Sequence, residues 1–405
     1  MTADARVPGV YREELFPVPQ PVLLTGVPVF LGKAARGPAD TPIMLSAWPQ
    51  FAAQFGGSPT GYLQYAVRAF FENGGRLCYV VRLDTEPSSP EALTLAALRS
   101  GLDAAAALDD VDLVCAPDLA QETMTLTGVS TALSTRYMVD TELQRAVLDH
   151  CRQCGDRFAI LDGSPDDDVE QTLARRSALH SSYGALYVPW VVAAGEDRRL
   201  KGVPPCGHIA GIYARGDARV GVHKAPANEV VEGALDVLSV PQWPDQGPLG
   251  VGRPLTRNEE AWLFEQGVNY IRPFIGRGIR VWGARTLSDD PGWRYVGVRR
   301  LFLTAGRWLR RFMAQLAFEP NTIRLWARIM RELSAYFDTL YRTGALAGAH
   351  PQQAYYVKCD RETNPPEVIE RGEVVTEIGL APTTPNEFIV ARIVRTSGGA
   401  SIEIA

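Results

Sequence analysis

The chain has 405 residues, with 41 Lys and Arg against 46 Asp and Glu, a formal net charge of −5. A hydrophobic content of 46% and a charged content of 21% are ordinary for a globular protein and exclude a chain too polar to build a core. No run approaches the ~18–20 apolar residues of a membrane helix, and residues 1–17 lack an apolar h-region and a cleavage site, so neither membrane insertion nor a signal peptide is expected. The 6 cysteines are scattered through apolar contexts, which suits reduced thiols in cytosol.

Residues 1–21 carry three prolines after Phe16 and too few apolar side chains to pack alone, so they are expected as an extended arm. About 17 extended residues reach ~55–60 Å, well beyond the ~21 Å radius of gyration of a particle this size. The arm is therefore long enough to touch a neighbouring subunit. Residues 23–83 read as a strand (VPVFLGKA), a helix over 46–55, a helix over 62–73 ended by Gly74 and Gly75, and a buried strand (RLCYVVRL).

The stretch 85–90 (TEPSSP) reads as a linker. Beyond it strands at 111–117, 157–163 and 183–192 alternate with helices near 139–153 and 166–180, which predicts a small, largely parallel sheet. Residues 208–238 read as a helix, a loop and a return segment, and a Pro/Gly cluster at 240–254 closes the region. The expected fold is mixed α/β: a discontinuous core domain from 22–85 and 246–395, an inserted outer α/β domain at 86–245, and extended arms at 1–21 and 396–405.

In 267–346, Gly276 and Gly278 separate two short β-favouring runs, predicting a hairpin. Two amphipathic helices follow, with Val298, Leu301, Phe302, Ala305, Trp308, Leu309, Phe312 and Leu316 on one stripe. The second stripe holds Leu325, Trp326, Ile329, Leu333, Phe337, Leu340 and Tyr341; Asn321 or Thr322 caps this helix and Gly344 ends it. From Arg294 to Arg331 there are nine arginines and one acid, Glu319, a local +8 that leaves −13 for the remainder of the −5 total. Such a segment is either a solvated helix face or a surface for one anionic partner. Strands are then expected at 354–360, 373–381 and 387–394, and the terminal TSGGASIEIA pairs a flexible hinge with a short apolar tip that should add to an existing sheet edge.

Three places in the chain carry residues that could support chemistry. Cys151 and Cys154 form a C-x-x-C beside His150, but no second pair completes a zinc set and the motif ends a helix instead of starting one. Asp162 stands at the end of a predicted parallel strand, where α/β enzymes place ligand-binding groups, yet the acids at 166–168 equally suit the first turn of the next helix. Gly276-Arg277-Gly278 is neither a dinucleotide fingerprint nor a P-loop. No cofactor, metal or catalytic residue is expected. An enzyme using the Asp162 loop and a nucleic-acid binder using the arginine helices stand as alternatives.

Several segments together resemble the contractile tail sheath proteins of myophages, R-type pyocins and extracellular contractile injection systems. They are PGVYREE (8–14), TGVPVFLGKAARGP (25–38), AWPQFAAQFGG (47–57) and AVRAFFENGGRLCYVVRL (66–83) near the start. Further on come GIYARGDARVGVHKAPAN (211–228), GVNYIRPFIGRGIRVWGARTLS (267–288), RRLFLT (299–304), FEPN (318–321), LW (325–326) and the tail 354–394. The resemblance implies a structural homo-oligomer of stacked six-fold rings around an inner tube protein, with baseplate and terminal cap proteins and sheath paralogues as partners and no nucleic acid. It implies assembly in the bacterial cytoplasm, within a phage tail or tail-like particle that is released or docked at a membrane or thylakoid. It implies subunit-linking arms at Val10, Tyr11, Arg12, Glu13, Glu14 and Leu15 and at Ser401, Ile402, Glu403 and Ile404. Acceptor strands would hold Tyr355, Tyr356 and Val357, and Phe388, Ile389 and Val390. The basic helices, with Arg299, Arg300, Arg307, Arg310, Arg311, Arg324, Arg328 and Arg331, would face the tube. Both ends on one chain, unlike the two-chain sheath of type VI secretion, imply no recycling by disassembly, and the absence of a long insertion implies little outer decoration.

Overall fold

The structure, a computed structural model, describes residues 23–56, 61–84, 93–126, 133–195, 198–238, 255–385, 387, 391–396 and 399–404, with backbone alone for 121–126, 133–138 and from 391 onward. The first elements are β1 (Pro28–Gly32), β2 (Ile43–Leu45), α1 (Trp48–Gln54), α2 (Leu63–Glu72) and β3 (Cys78–Arg82). Then come α3 (Leu95–Ala106), β4 (Leu113–Cys115), β5 (Ala120–Leu126), β6 (Leu133–Val139), α4 (Thr141–Cys154), β7 (Phe158–Asp162) and α5 (Val169–Ser177). β8 (Gly184–Val188), β9 (Val191–Ala194), β10 (Leu200–Val203), α6 (Cys206–Arg219), β11 (Asp236–Val237), α7 (Arg257–Glu265), β12 (Val268–Phe274) and β13 (Gly278–Trp282) complete the first body. The rest holds α8 (Val296–Ala314), α9 (Ile323–Arg342), α10 (Pro351–Ala354), β14 (Tyr355–Lys358), α11 (Pro366–Glu370), β15 (Glu377–Leu380), β16 (Ala391–Thr396) and β17 (Gly399–Ile404).

One eight-stranded sheet organises the first body, in the order β13-β12-β8-β7-β4-β1-β3-β2. Its six inner strands are parallel, and the two edge strands are antiparallel to their neighbours. Successive residues of a strand point to opposite faces. Phe30 therefore packs with Val80, Leu113, Ile160 and the α2–α6 pair, while Val29 and Leu31 pack on the other face with Val81, Val114, Leu161 and helices α3 and α4. Both faces are covered, which is why these strands read as unbroken apolar runs. On the first face α6 lies almost against α2 because its contact positions are glycines. A Cβ on Gly207 would stand 2.2 Å from the Ala66 carbonyl oxygen, and one on Gly211 2.6 Å from that of Phe70.

This topology corrects the expected domain boundaries. Strands from 246–395 (β13, β12), from 86–245 (β8, β7, β4) and from 22–85 (β1, β3, β2) stand in successive blocks of one continuous sheet, so 86–245 is no separate inserted domain. The expected linker at 85–90 lies outside the described residues, and β3 leads to β4 by way of α3, the long crossover connection that parallel strands require. The real change of core comes before α8. There α8, α9, β14 and β15 gather around Leu301, Phe312, Trp326, Ile329, Leu333 and Phe337, with Trp308 stacked on Tyr336 at a centroid distance of 4.0 Å.

Smaller differences have local causes. The strand expected over 183–192 divides at Pro189 into β8 and β9, and β9 joins β10 and β11 in a second sheet. Thr322 occupies the N-cap position of α9 without a side-chain bond, because Asn321 instead accepts from the Trp326 indole at 2.7 Å. Between the strands expected at 354–360 and 373–381 lies the short helix α11. The hairpin of β12 and β13 forms as expected, with Gly276 and Gly278 at φ of 71° and 74° in the left-handed region. The Pro/Gly cluster at 240–254 lies outside the described residues.

Candidate assembly surfaces

The expected linking residues Val10, Tyr11, Arg12, Glu13, Glu14 and Leu15 lie outside the described residues. Where the described chain begins, it is held firmly. The Asp112 carboxylate accepts from the backbone N–H of Gly26 at 3.0 Å and of Val27 at 2.7 Å. It also accepts from Arg300 at 3.1 Å, and the same guanidinium donates two bonds to Asp217 at 2.6 and 2.8 Å. Burial alone would lower the Arg300 pKa, but the two carboxylates outweigh that and hold it above its ordinary value. Seven residues along α8, Arg307 donates to the carbonyl oxygens of Leu24, Asp109 and Asp110. The root of the N-terminal segment is thus clamped to α8 by two buried arginines.

Not all of the arginines expected to face the tube lie on the surface of the chain. Arg299, Arg300 and Arg307 are buried. Arg299 lies between the rings of Tyr183 and Trp293, at 3.9 and 4.5 Å from their centroids. Arg310 and Arg311 pair with Asp156 and Asp110 at 3.1 and 2.7 Å. The balancing acids come from the loop before β4, from the turn after α4 and from α6, none of them near α8 in sequence. Along α9, Arg328 and Arg331 are exposed and paired with Glu319 and Glu332, and Arg324 is exposed at the mouth of a cavity with Ile323, Trp326 and Ile369.

Of the expected acceptor strands, Tyr355, Tyr356 and Val357 lie in β14, which pairs with β15 in register Tyr355 to Leu380. No second strand pairs with β14 among the described residues, and Tyr356 is 51% exposed. Phe388, Ile389 and Val390 lie outside the described residues. The C-terminal tip, Ser401, Ile402, Glu403 and Ile404, pairs within this chain: β17 runs antiparallel to β16, from Ala391 opposite Ile404 to Thr396 opposite Gly399. The sheet edge that the tip was expected to seek is supplied, in a single chain, by its own preceding strand.

The candidate chemical sites have structural occupations. Asp162 is buried and accepts from the Cys206 backbone N–H at 2.8 Å, in the first turn of α6; burial pushes its pKa up to about 7. At the point where the sheet winds in both directions from β1 and β4, the place such folds usually leave for a ligand, Asp118 is buried. It accepts from Lys33 N at 2.6 Å and Tyr62 N at 2.5 Å. Cys151 is buried at the end of α4, and Cys154 lies 3.7 Å from the His150 ring. Among the described residues no group of three or more His, Cys, Asp or Glu is arranged to hold a metal ion, and no helix is long and apolar enough to cross a membrane. The clamp acids Asp112 and Asp217 escaped sequence reasoning. The one readable signal was Asp217 itself, an acid on a helix whose neighbours Ile209, Ile212 and Tyr213 are core residues.

Residues 99–287 match the phage tail sheath protein central domain, and residues 288–396 match the phage tail sheath C-terminal domain. The chain belongs to the phage tail sheath family. It is 24% identical over 224 residues to the tail sheath protein of Salmonella phage ViI, covering 54% of this chain and 33% of that one. The chain thus spans about a third of that curated relative's length. Among solved structures it is similar to the sheath complex of an extracellular contractile injection system, PVC, in its contracted state, with 28% identity and a TM-score of 0.72 over 98% of this chain and 99% of that one. The helical sheath of the anti-feeding prophage (AFP) in its contracted state is similar too, at 28% identity and a TM-score of 0.71, over 96% and 99% of the two chains. The observed mixed α/β fold is therefore a sheath fold along nearly its whole length.

Proposed function

We propose that this chain is the repeating subunit of a contractile sheath. In this reading it polymerises as stacked six-fold rings around an inner tube, between a baseplate and a terminal cap, and shortens and widens to drive the tube through a target envelope. The observation that carries the reading is the likeness to the contracted PVC sheath complex along 98% of the chain. The particle is a phage tail or phage tail-like machine built in the bacterial cytoplasm.

The physical mechanism rests on separating joints from bodies. The segment 10–15 adds as a strand to a neighbour, and the strands at 354–360 and in the β16–β17 hairpin offer the edge that receives it. Each backbone hydrogen bond so formed contributes ~0.5–1.5 kcal/mol net, so a strand of several bonds holds while the bodies move. The Pro-rich stretch at 16–21 acts as a hinge, whereas Thr396 and Gly399 are paired within the β16–β17 hairpin. The α/β body moves rigidly, because its sheet is covered on both faces, and pull on the N-terminal segment enters α8 through Arg307 and the Arg300–Asp112 pair. Contraction then exchanges one set of contacts between bodies for another of lower free energy, with no nucleotide consumed by the sheath.

The test is electron microscopy of the purified chain produced with its tube and baseplate. Cylinders are expected from the intact chain, and folded particles without cylinders from a chain lacking residues 1–16. Ordinary cylinders from the shortened chain would contradict the assignment of the arm.

A further inference from the structure

Among the described residues, the most exposed apolar side chain of the α/β body stands at the tip of the β12–β13 hairpin. Ile275 is fully exposed, at 105% of its reference area. It is flanked by Arg277 and Arg280, and the whole run 267–288 contains four arginines and no acid. Two of the four are neutralised within the chain, Arg272 by Glu260 and Arg285 by Glu387. Arg277 and Arg280 have no carboxylate among the described residues. They donate to the side chain and carbonyl of Asn228, which orients them without cancelling their charge. The tip is rigid, because Phe274 packs on Trp282 and the outer edge of β13 is bonded to the segment 228–231. It is a fixed apolar knob with two uncompensated positive charges.

A surface of the opposite character lies in the C-terminal unit. Residues 360–377 hold six acids (360, 362, 367, 370, 373, 377) and two bases (361, 371), a net of −4. Glu367 and Glu370 are exposed, and the adjoining Val374 and Val375 are 37% and 42% exposed. The knot is folded onto itself, with the Glu373 N–H bonded to the Val368 carbonyl and Asn364 bridging both backbone groups of Val375. It too is a fixed apolar patch, with a negative rim. No hydrogen bond or ion pair joins the hairpin tip to this knot within the chain among the described residues.

We propose that the β12–β13 tip of one copy docks on the acidic knot around α11 of a second copy. The proposal deepens the sheath reading and rests on it, since it names the partner of a surface that the reading leaves free. Two different patches on one chain, complementary to each other, make a head-to-tail contact, which repeats around rings or helices instead of closing as a twofold dimer. Ile275 meets Val374 and Val375, and Arg277 and Arg280 meet Glu367 and Glu370. Rim charges of this kind set register and encounter rate, and they weaken with salt.

The experiment uses the full chain with tube and baseplate, and reads the protein concentration needed for cylinders at low and high salt. R277E/R280E and E367R/E370R are each expected to raise it about tenfold or more, equivalent to ~1.4 kcal/mol per contact. The quadruple variant R277E/R280E/E367R/E370R, with the polarity reversed, is expected to return toward the unmodified value. All three variants should melt like the parent, and I275S serves as a milder probe expected to weaken assembly without touching charge. Normal assembly by both double variants, or a folded quadruple variant without recovery, overturns the proposal. Should the unmodified chain form no cylinders, the sheath reading itself fails. The contact is then judged by mixing R277C and E370C chains, where a disulfide between copies supports it and none overturns it.

Discussion

Helices α8 and α9 look alike in sequence. Each is about twenty residues long, each carries a clean apolar stripe, and each is dotted with arginines and poor in acids. In the fold they do opposite things. Three of the five arginines of α8 are drawn inward: Arg300 between two buried carboxylates, Arg307 against three carbonyl oxygens, Arg299 between two rings. Those of α9 stay in solvent, Arg331 with its side chain 72% exposed. The difference lies in what each helix meets. α8 faces the acid-bearing ends of the α/β body, so its charges become ties between the two parts of the chain, whereas α9 turns its charged face away from the core. Local charge counts therefore do not locate a charged surface.

That contrast can be broken most severely at Arg300. Replacing it by Met leaves Asp112 and Asp217 buried without a counter-charge, and a loss of ~3–5 kcal/mol in denaturant unfolding is expected. The double variant R300M/D217N should recover part of it, and an R300M protein as stable as the parent would remove the clamp from the mechanism. R307M comes next, with an expected loss of ~1–3 kcal/mol for unsatisfied buried carbonyls and faster proteolysis near Leu24.

The pH dependence also belongs to the α/β body. His208 is buried with its Nδ1 unpartnered, and burial lowers its pKa to about 4 from 6.5. The unfolded chain therefore takes up this proton first, and stability present above pH 6.5 is lost as pH falls from 6.5 toward 4. Asp118 and Asp162 act in the opposite sense. Burial raises them to about 6 and about 7, so in the same window their contribution grows as pH falls. H208Q should consequently tilt the stability profile toward greater stability at pH 5 relative to pH 7, measured by thermal melting at each pH. An unchanged profile would show that His208 does not titrate with unfolding. The smallest effect is expected on α9: R328A and R331A should each change stability by less than ~1 kcal/mol, as exposed pairs do.

Much of the fold was legible in the sequence because its signals are local. The alternating strands and helices of 111–192, the two amphipathic helices and the glycine hairpin at 276–278 all follow from periodicity and turn chemistry. α3, whose alanines blur the helical stripe, did not stand out, and neither did α7 behind the Pro/Gly cluster. The unity of the sheet was not legible either. Strand order is a property of how crossovers land, and a Pro/Ser-rich connection looks the same whether it separates domains or spans a sheet. Among the candidate surfaces, the Arg300 clamp was hidden because its acids stand 188 and 83 residues away. Composition marked both end segments as extended arms, but their role in linking subunits could be read only through their resemblance to other sheaths.

The claim on which the rest depends is that the ends of the chain tie one copy to the next. Cryo-electron microscopy of the assembled particle tests it most directly, by tracing residues 10–15 in the density. A strand lying against the sheet of a neighbouring subunit is expected. Residues 10–15 folded onto their own body, in a cylinder that holds together regardless, would contradict it.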